Sequence, residues 1–352
     1  MKKTAAIAMV VGGALALLGS LLFLTSMFLM KFDFDNLSIP NESPTETVQE
    51  FSGDIHSLRI EDDTADVTLA PYDGETVSVT YVAGRKELYS FICDGGVLTV
   101  QKYNTKAWYD HISFGPENKY LFILLPRKDY NELFLSTGTG DFYVESGLCF
   151  NAITASASTG DINLNANVLS SVYITTTTGS VTVSGSSGGE TAPTLSIVTS
   201  TGNISLSGLE LSGADLKTDT GRTRINGLTV SGAGSTVITT DTGDVSANTV
   251  NVNSLNVTSD TGDVSFENVY APVTKMKSSS GDIELNFFYA EEMDIKTSSG
   301  DVSGILQSQM IVIPETSTGS IDIHHDVYGG KGTCRVTTSS GDISIRLSLE
   351  PR

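Results

Sequence analysis

Several residue types are scarce in this 352-residue chain, and each scarcity closes off a class of function. Cysteine occurs three times, at Cys93, Cys149 and Cys334. The three lie far apart in no metal-ligand spacing, and an odd count leaves at least one thiol, so neither a zinc cluster nor a disulfide framework is indicated. Bases are outnumbered, 21 Lys and Arg against 41 Asp and Glu, for a net charge of −20. Nucleic-acid binding needs a basic face and is therefore disfavoured. Histidine occurs four times, and the adjacent pair His324 and His325 would face opposite sides of a strand, which suits a shared metal poorly. Only a loop would gather them with Asp326. The single tryptophan sits in Trp108-Tyr109-Asp110-His111, which reads as a loop folded over the end of a core rather than a ligand platform. Gly185-Ser186-Ser187-Gly188-Gly189 matches the G-x-S-x-G motif of hydrolases, but a nucleophile elbow needs a strand-to-helix turn and nothing after it looks helical.

Glycine, by contrast, is abundant and periodic. Eleven Ser/Thr-Gly turns run from Gly140 to Gly341 at intervals of 19 to 23 residues. A fixed period near 20 marks a repeat architecture, whose units bury their apolar faces only by stacking. Two and four residues after each glycine the chain is mostly apolar, as in Ile204 and Leu206 or Val264 and Phe266. Five and seven residues before it the same holds, as in Ile197 and Leu195. Period-2 alternation on both sides means that a strand enters and a strand leaves each turn. Parallel coils or antiparallel hairpins would both satisfy this. Equivalent residues in every unit favour like stacked on like, hence a β-solenoid, a rod about 50 Å long at about 4.8 Å per coil. The coil around Gly319 departs from the register, its apolar residues being Ile311 and Ile313.

After the glycine, Asp fills the slot seven times in eleven, with Ser180, Asn203, Ser320 and Arg222 in the others. Asp, Asn and Ser share an ability to bond local backbone N–H groups, so the expected role is a turn cap. Ser or Thr recurs one and three residues before the glycine, where stacked hydroxyls would satisfy one another along the rod.

At the amino end, residues 4–30 carry no charge and follow Lys2 and Lys3. About 20 apolar residues span a bilayer, so this run reads as one uncleaved transmembrane helix. The lysines place residues 1–3 in the cytoplasm and the bulk outside, a single-pass protein of the cell membrane. The expected organisation continues with a linker over 31–50, an amino-terminal β cap over 51–130, and the solenoid repeats over 131–350.

The anchor, a cap ending in Leu125-Pro126-Arg127, and the repeated Ser/Thr-Gly-Asp-Ile/Val strands together resemble the bacterial putative-adhesin β-strand-repeat family. The resemblance spans about residues 50 to 350. It implies an extracytoplasmic β-solenoid at the cell surface, sometimes tied to envelope-stress systems. The family carries no established catalytic residues, so the resemblance supplies none here.

Function is expected where the repeat departs from itself. Two residues before the glycine, three successive coils carry Asp219, Asp241 and Asp260 in place of Ser or Thr. In-register stacking would set these carboxylates about 5 Å apart, with Asp244 and Asp263 beside them and Arg222 in the first coil's Asp slot. Either solvent and Arg222 relieve the repulsion, or a hard cation such as Ca²⁺ does. No other cofactor is indicated. Longer repeats gain their extra residues at 185–193, 231–235 and 325–332, all on the connection opposite the turn. The leading expectation is a non-catalytic, adhesin-like binding or scaffolding module, with an envelope polymer or a surface or membrane protein as partner. A carbohydrate-active β-helix enzyme using Asp219, Arg222, Arg224 and Asp241, and an end-to-end polymer-forming scaffold, are the alternatives.

Overall fold

A computed structural model of the chain describes residues 18–22, 25, 46–82, 87–104, 119–185, 192–325 and 332–348. The expected anchor over 4–30 therefore falls mostly outside the described residues. So do Trp108 to His111, Ser186 to Gly189 and Asp326. Among the described residues no helix is long and apolar enough to cross a membrane.

The described chain forms two large sheets, one of fifteen strands and one of fourteen. Each repeat contributes an incoming strand to the second sheet and an outgoing strand to the first. Successive repeats pair in parallel, as Ser235–Thr242 pairs with Ser254–Thr261. This is the β-solenoid that the like-on-like argument favours. The core lies between the sheets, and the residues read as apolar fill it: Ile197, Leu216, Ile238 and Val257 are all no more than 1% exposed.

Stacking explains the glycine period. Every turn glycine from Gly140 to Gly341 lies so close under its neighbour that an added Cβ would overlap a backbone carbonyl oxygen of the adjacent coil. The turn carries no backbone bridge of its own here; its amides pair between coils. Gly243 N–H donates to Thr261 O at 2.8 Å, and Val264 N–H donates to Asp282 O at 2.9 Å.

The outgoing strand is longer than the alternation predicts. In five successive coils it bends six residues after the glycine and then continues. The bend residue has positive φ: Gly208, Gly227, Thr249, Asn268 and Phe287. One left-handed residue lets alternation resume in shifted phase, so that Leu209, Leu228, Val250, Val269 and Phe288 point back into the core.

Both ends depart from chain order. At the carboxyl end, Glu292–Lys296 pairs with Gly332–Ser340, which pairs in turn with Met310–Thr318. The last repeat is thus wedged inside the one before it, and the Gly319 coil closes the rod. That coil keeps the common register, with Val312 and Pro314 beside the buried Cys334 and Val336, so Ile311 and Ile313 face outward and are exposed by 58% and 44%, while Ile321, beside buried Ile343, is 47% exposed because the coil is outermost. At the amino end, Ser57–Asp62 lies between Val97–Asn104 and Asp129–Thr137, parallel to both. Asp66–Tyr72 likewise lies between Tyr120–Pro126 and Phe142–Val144. The region read as a cap therefore begins with coils of the solenoid itself. Its closure is made by antiparallel strands, Glu46–Phe51 and Val77–Val82 on one sheet and Glu87–Asp94 on the other. The first of these starts inside the segment read as linker.

Candidate functional site

Register sets the acidic column. Thr218 pairs with Thr240 and Thr220 with Thr242, and the next coil continues with Ser259 and Thr261. Asp219, Asp241 and Asp260, lying between these pairs, are therefore stacked on adjacent strands as the spacing predicts. Asp241 and Asp260 are exposed and Asp219 is half-buried. Lys217 Nζ stands 3.8 Å from Asp219 Oδ1.

Asp244 and Asp263 belong to a second column with a different task. Each turn carboxylate accepts a hydrogen bond from the backbone N–H of the next coil's equivalent residue. Asp161 N–H donates to Asp141 Oδ1 at 2.8 Å, Asp282 N–H to Asp263 Oδ1 at 2.9 Å, and Asp301 N–H to Asp282 Oδ1 at 2.8 Å. The bond is to the neighbouring coil rather than to the residue's own turn, which corrects the expectation of a local cap. Asn203 serves as well as Asp, accepting from Arg222 N–H at 2.9 Å. Asp or Asn is required because the acceptor must reach one strand spacing; Ser180 is too short to extend the series.

Arg222 replaces this acceptor with a cation. Its Nη2 lies 2.7 Å from Asp244 Oδ2, while Asp244 Oδ1 accepts from Asp263 N–H at 3.2 Å. The Arg222 hydrogen bond, followed by that backbone N–H, holds the Asp244 carboxyl below the usual carboxylate range. Both oxygens of Asp244 are thus engaged. Asp263 Oδ1 is engaged as well, and the other three aspartates stand in a line along the rod. A calcium ion asks for six to eight oxygens around one point. Among the described residues no group of three or more His, Cys, Asp or Glu is placed to hold a metal. Arg224 faces out from Thr223–Val230 on the first sheet, in line with Ser205 and Ser246, and does not converge on the column.

The hydroxyl column three residues before the glycine divides: Thr199, Thr218, Thr316 and Thr338 donate to a glycine carbonyl of the adjacent coil, whereas Thr176, Thr240, Ser259, Ser278 and Thr297 are buried without a hydrogen-bond partner. Thr218 Oγ1 donates to Gly202 O at 3.0 Å, and Thr316 Oγ1 to Gly341 O at 3.0 Å. The bonded members serve stacking.

Two features escaped the sequence. One is a buried charge cluster near the amino end. Lys102 Nζ lies 3.4 Å from Asp62 Oδ1, 3.3 Å from Glu87 Oε2 and 2.8 Å from Thr64 Oγ1. Lys119 Nζ reaches Glu87 Oε1 at 2.8 Å, and Tyr89 OH donates to Asp62 Oδ2. Burial, then the Asp62 charge, pushes the Tyr89 hydroxyl well above the usual tyrosine range. Strand alternation places Asp62 and Lys102 at inward positions, a signal visible only once the two strands are known to be neighbours in one sheet.

The other is a groove of about 630 Å³ on the outer face of the first sheet, near the carboxyl end. Ser303, Gly304 and Ser344 form its floor; Asn286, Asp322, His324 and Arg346 stand around it. His324 Nδ1 lies 3.1 Å from Asp322 Oδ1.

Two largely parallel sheets stacked on a glycine column define a β-solenoid. The chain belongs to the Toastrack DUF4097 family, whose profile matches residues 55–236 and 233–351. No curated protein sequence matches it. Among solved structures it is similar to a protein of Parabacteroides distasonis named as a putative adhesin, at 14% identity, covering 87% of this chain and 98% of that one, TM-score 0.31. A second protein of that organism, named as a putative lipid binding protein, is 17% identical over 88% of this chain and 98% of its own, TM-score 0.30. A putative cell adhesion protein of Clostridium sporogenes is 9% identical over 87% and 100%, TM-score 0.21.

Proposed function

We propose that this chain is a membrane-anchored, extracytoplasmic solenoid that works by binding, as an adhesin-like or envelope-scaffolding module, without catalysis. The observation carrying this reading is that the repeated polar residues are consumed by assembly. The turn aspartates bond neighbouring coils, and Thr199, Thr218, Thr316 and Thr338 bond neighbouring carbonyls. What is left for function is long, flat, solvent-facing sheet surface, which suits recognition of an extended partner. The uncharged run over 4–30 supports the anchor, and the two lysines before it support an outward orientation.

The test is made on cells producing the full chain. Protease added to intact cells should remove the solenoid while sparing a cytoplasmic control. The full chain, recovered in mild detergent, should retain cell-envelope material that a detergent-only resin does not. Protection from external protease would overturn the topology, and absence of any retained envelope component would overturn the binding role.

A further inference from the structure

The outer face of the second sheet carries an island of positive charge. On Val273–Ser280, Lys275 and Lys277 are exposed, and the alternate residues Thr274 and Met276 are buried. Register then places Asp294 and Arg335 beside Lys275 on the next two strands, and Lys296 beside Lys277. Adjacent strands lie about 4.8 Å apart and alternate residues about 6.8 Å, so the four cations occupy a grid of fixed pitch. One carboxylate lies among them, Asp294, and it is paired with Lys296 at 2.8 Å.

Pairing elsewhere makes this face unusual. Seven cations elsewhere on the described chain sit against a carboxylate, as acids at twice the number of bases would lead one to expect. Among the described residues Lys275, Lys277 and Arg335 make no ion pair. Glu292 and Glu315 mark the margins of the island, together with Asp260, which register places on the adjoining strand diagonal to Lys277. The chain's overall −20 does not cancel it, because charges beyond about 8 Å are screened at physiological ionic strength.

We propose that this face binds a linear phosphate polymer. The inference deepens the binding role above and rests on it, naming the partner's chemistry and the surface it occupies. A single small anion gains little on an exposed face, since each solvated contact is weak. A polymer with a charge every few ångströms engages the whole grid at once, and the contacts add within one chain. Phosphate suits a donor set of three ammonium groups and one guanidinium. Single-stranded nucleic acid is a poorer fit, because it needs aromatic side chains for base stacking. The large side chains exposed around this grid are Val273, Ile311 and Ile313.

The experiment uses the full chain in non-ionic detergent and end-labelled long-chain inorganic polyphosphate, read by fluorescence anisotropy. Binding is expected at low salt and should weaken as salt rises. The triple variant Lys275→Gln, Lys277→Gln and Arg335→Gln should lose about tenfold in affinity, and Arg224→Gln, on the opposite sheet, should bind like the parent. Equal urea midpoints for all three proteins establish that the variants fold. Four results would each overturn the proposal. They are no binding by the parent, a triple variant that binds unchanged, single-stranded DNA held as tightly as polyphosphate, or capture of anionic vesicles without capture of the polymer. If polyphosphate is not bound while envelope material is still retained by the full chain, this inference falls and the binding role stands.

Discussion

Replacing Gly262 by alanine should cost far more than replacing Gly232, although both have positive φ, +140° and +73°. Gly232 lies in the connection at 231–235, where an added Cβ meets nothing within 4 Å. Its substitution carries only the backbone penalty, about 1–2 kcal/mol. At Gly262 the Cβ would overlap Gly243 O and press on Asp244 N. That oxygen is fixed backbone, so relief requires the two coils to separate at the turn and strain the bonds between them. Overpacking of a closely packed site adds about 1–3 kcal/mol, for about 2–5 kcal/mol in all. Urea unfolding of both variants followed by circular dichroism gives the difference. Hydrogen exchange then locates it, with amides near Gly243 and Thr261 losing protection in Gly262→Ala and keeping it in Gly232→Ala. Equal losses in the two variants would refute the stacking argument and leave only φ as the reason for the glycine period.

Asp282→Ala should destabilise by about 1 kcal/mol while Asp282→Asn retains most of it, because the amide oxygen still accepts from Asp301 N–H; exchange at the Asp301 amide reads the bond directly. Lys102→Ala should cost about 3–5 kcal/mol, since it leaves the Asp62 carboxylate buried without its cation and Glu87 with Lys119 alone; denaturant unfolding measures it. The depressed Asp244 carboxyl contributes stability that is full above its unfolded pKa and is lost as pH falls through the lower folded value. Asp244→Asn should therefore flatten that acidic limb, checked by unfolding across acidic pH. Cys334, buried and pushed up to about 12 by burial and then by Asp294, should resist alkylation in the folded chain while exposed Cys93 reacts; mass spectrometry of the labelled protein distinguishes them.

Much of the site logic was legible because it is periodic. Asp219, Asp241 and Asp260 were predicted to align, and strand register aligns them. The partners of the turn aspartates were not legible, because Asp282 reaches an amide 19 residues away rather than one in its own turn. Sequence neighbours suggest local caps; only stacking brings the next coil's N–H within reach. The bend at Thr249, Asn268 and Phe287 left a trace in the apolar residues that follow it. Its meaning depends on a single left-handed residue, which non-glycine side chains do not announce. Lys275, Lys277 and Arg335 are three ordinary surface cations in sequence, scattered over 61 positions. Register turns them into one grid.

The sequence by itself determined the period, the inward and outward faces of each strand, and the class of fold, because alternation and glycine spacing act within each coil. The order of coils in space was decided only by tertiary structure. The carboxyl-terminal repeat lies inside the Gly319 coil, and Ser57–Asp62 lies inside the Val97–Asn104 coil. Any coil with the shared period satisfies the backbone bonds of any other, so local pattern does not fix which neighbour it meets. The choice falls to the ends, where one coil must leave a face uncovered. Cys334, Val336 and Ile345 are covered on both sides in the inner position, whereas Ile321, at an inward slot beside Ile343, remains exposed on the outer coil. The better core-former takes the inner place, and that comparison exists only once the whole rod is assembled.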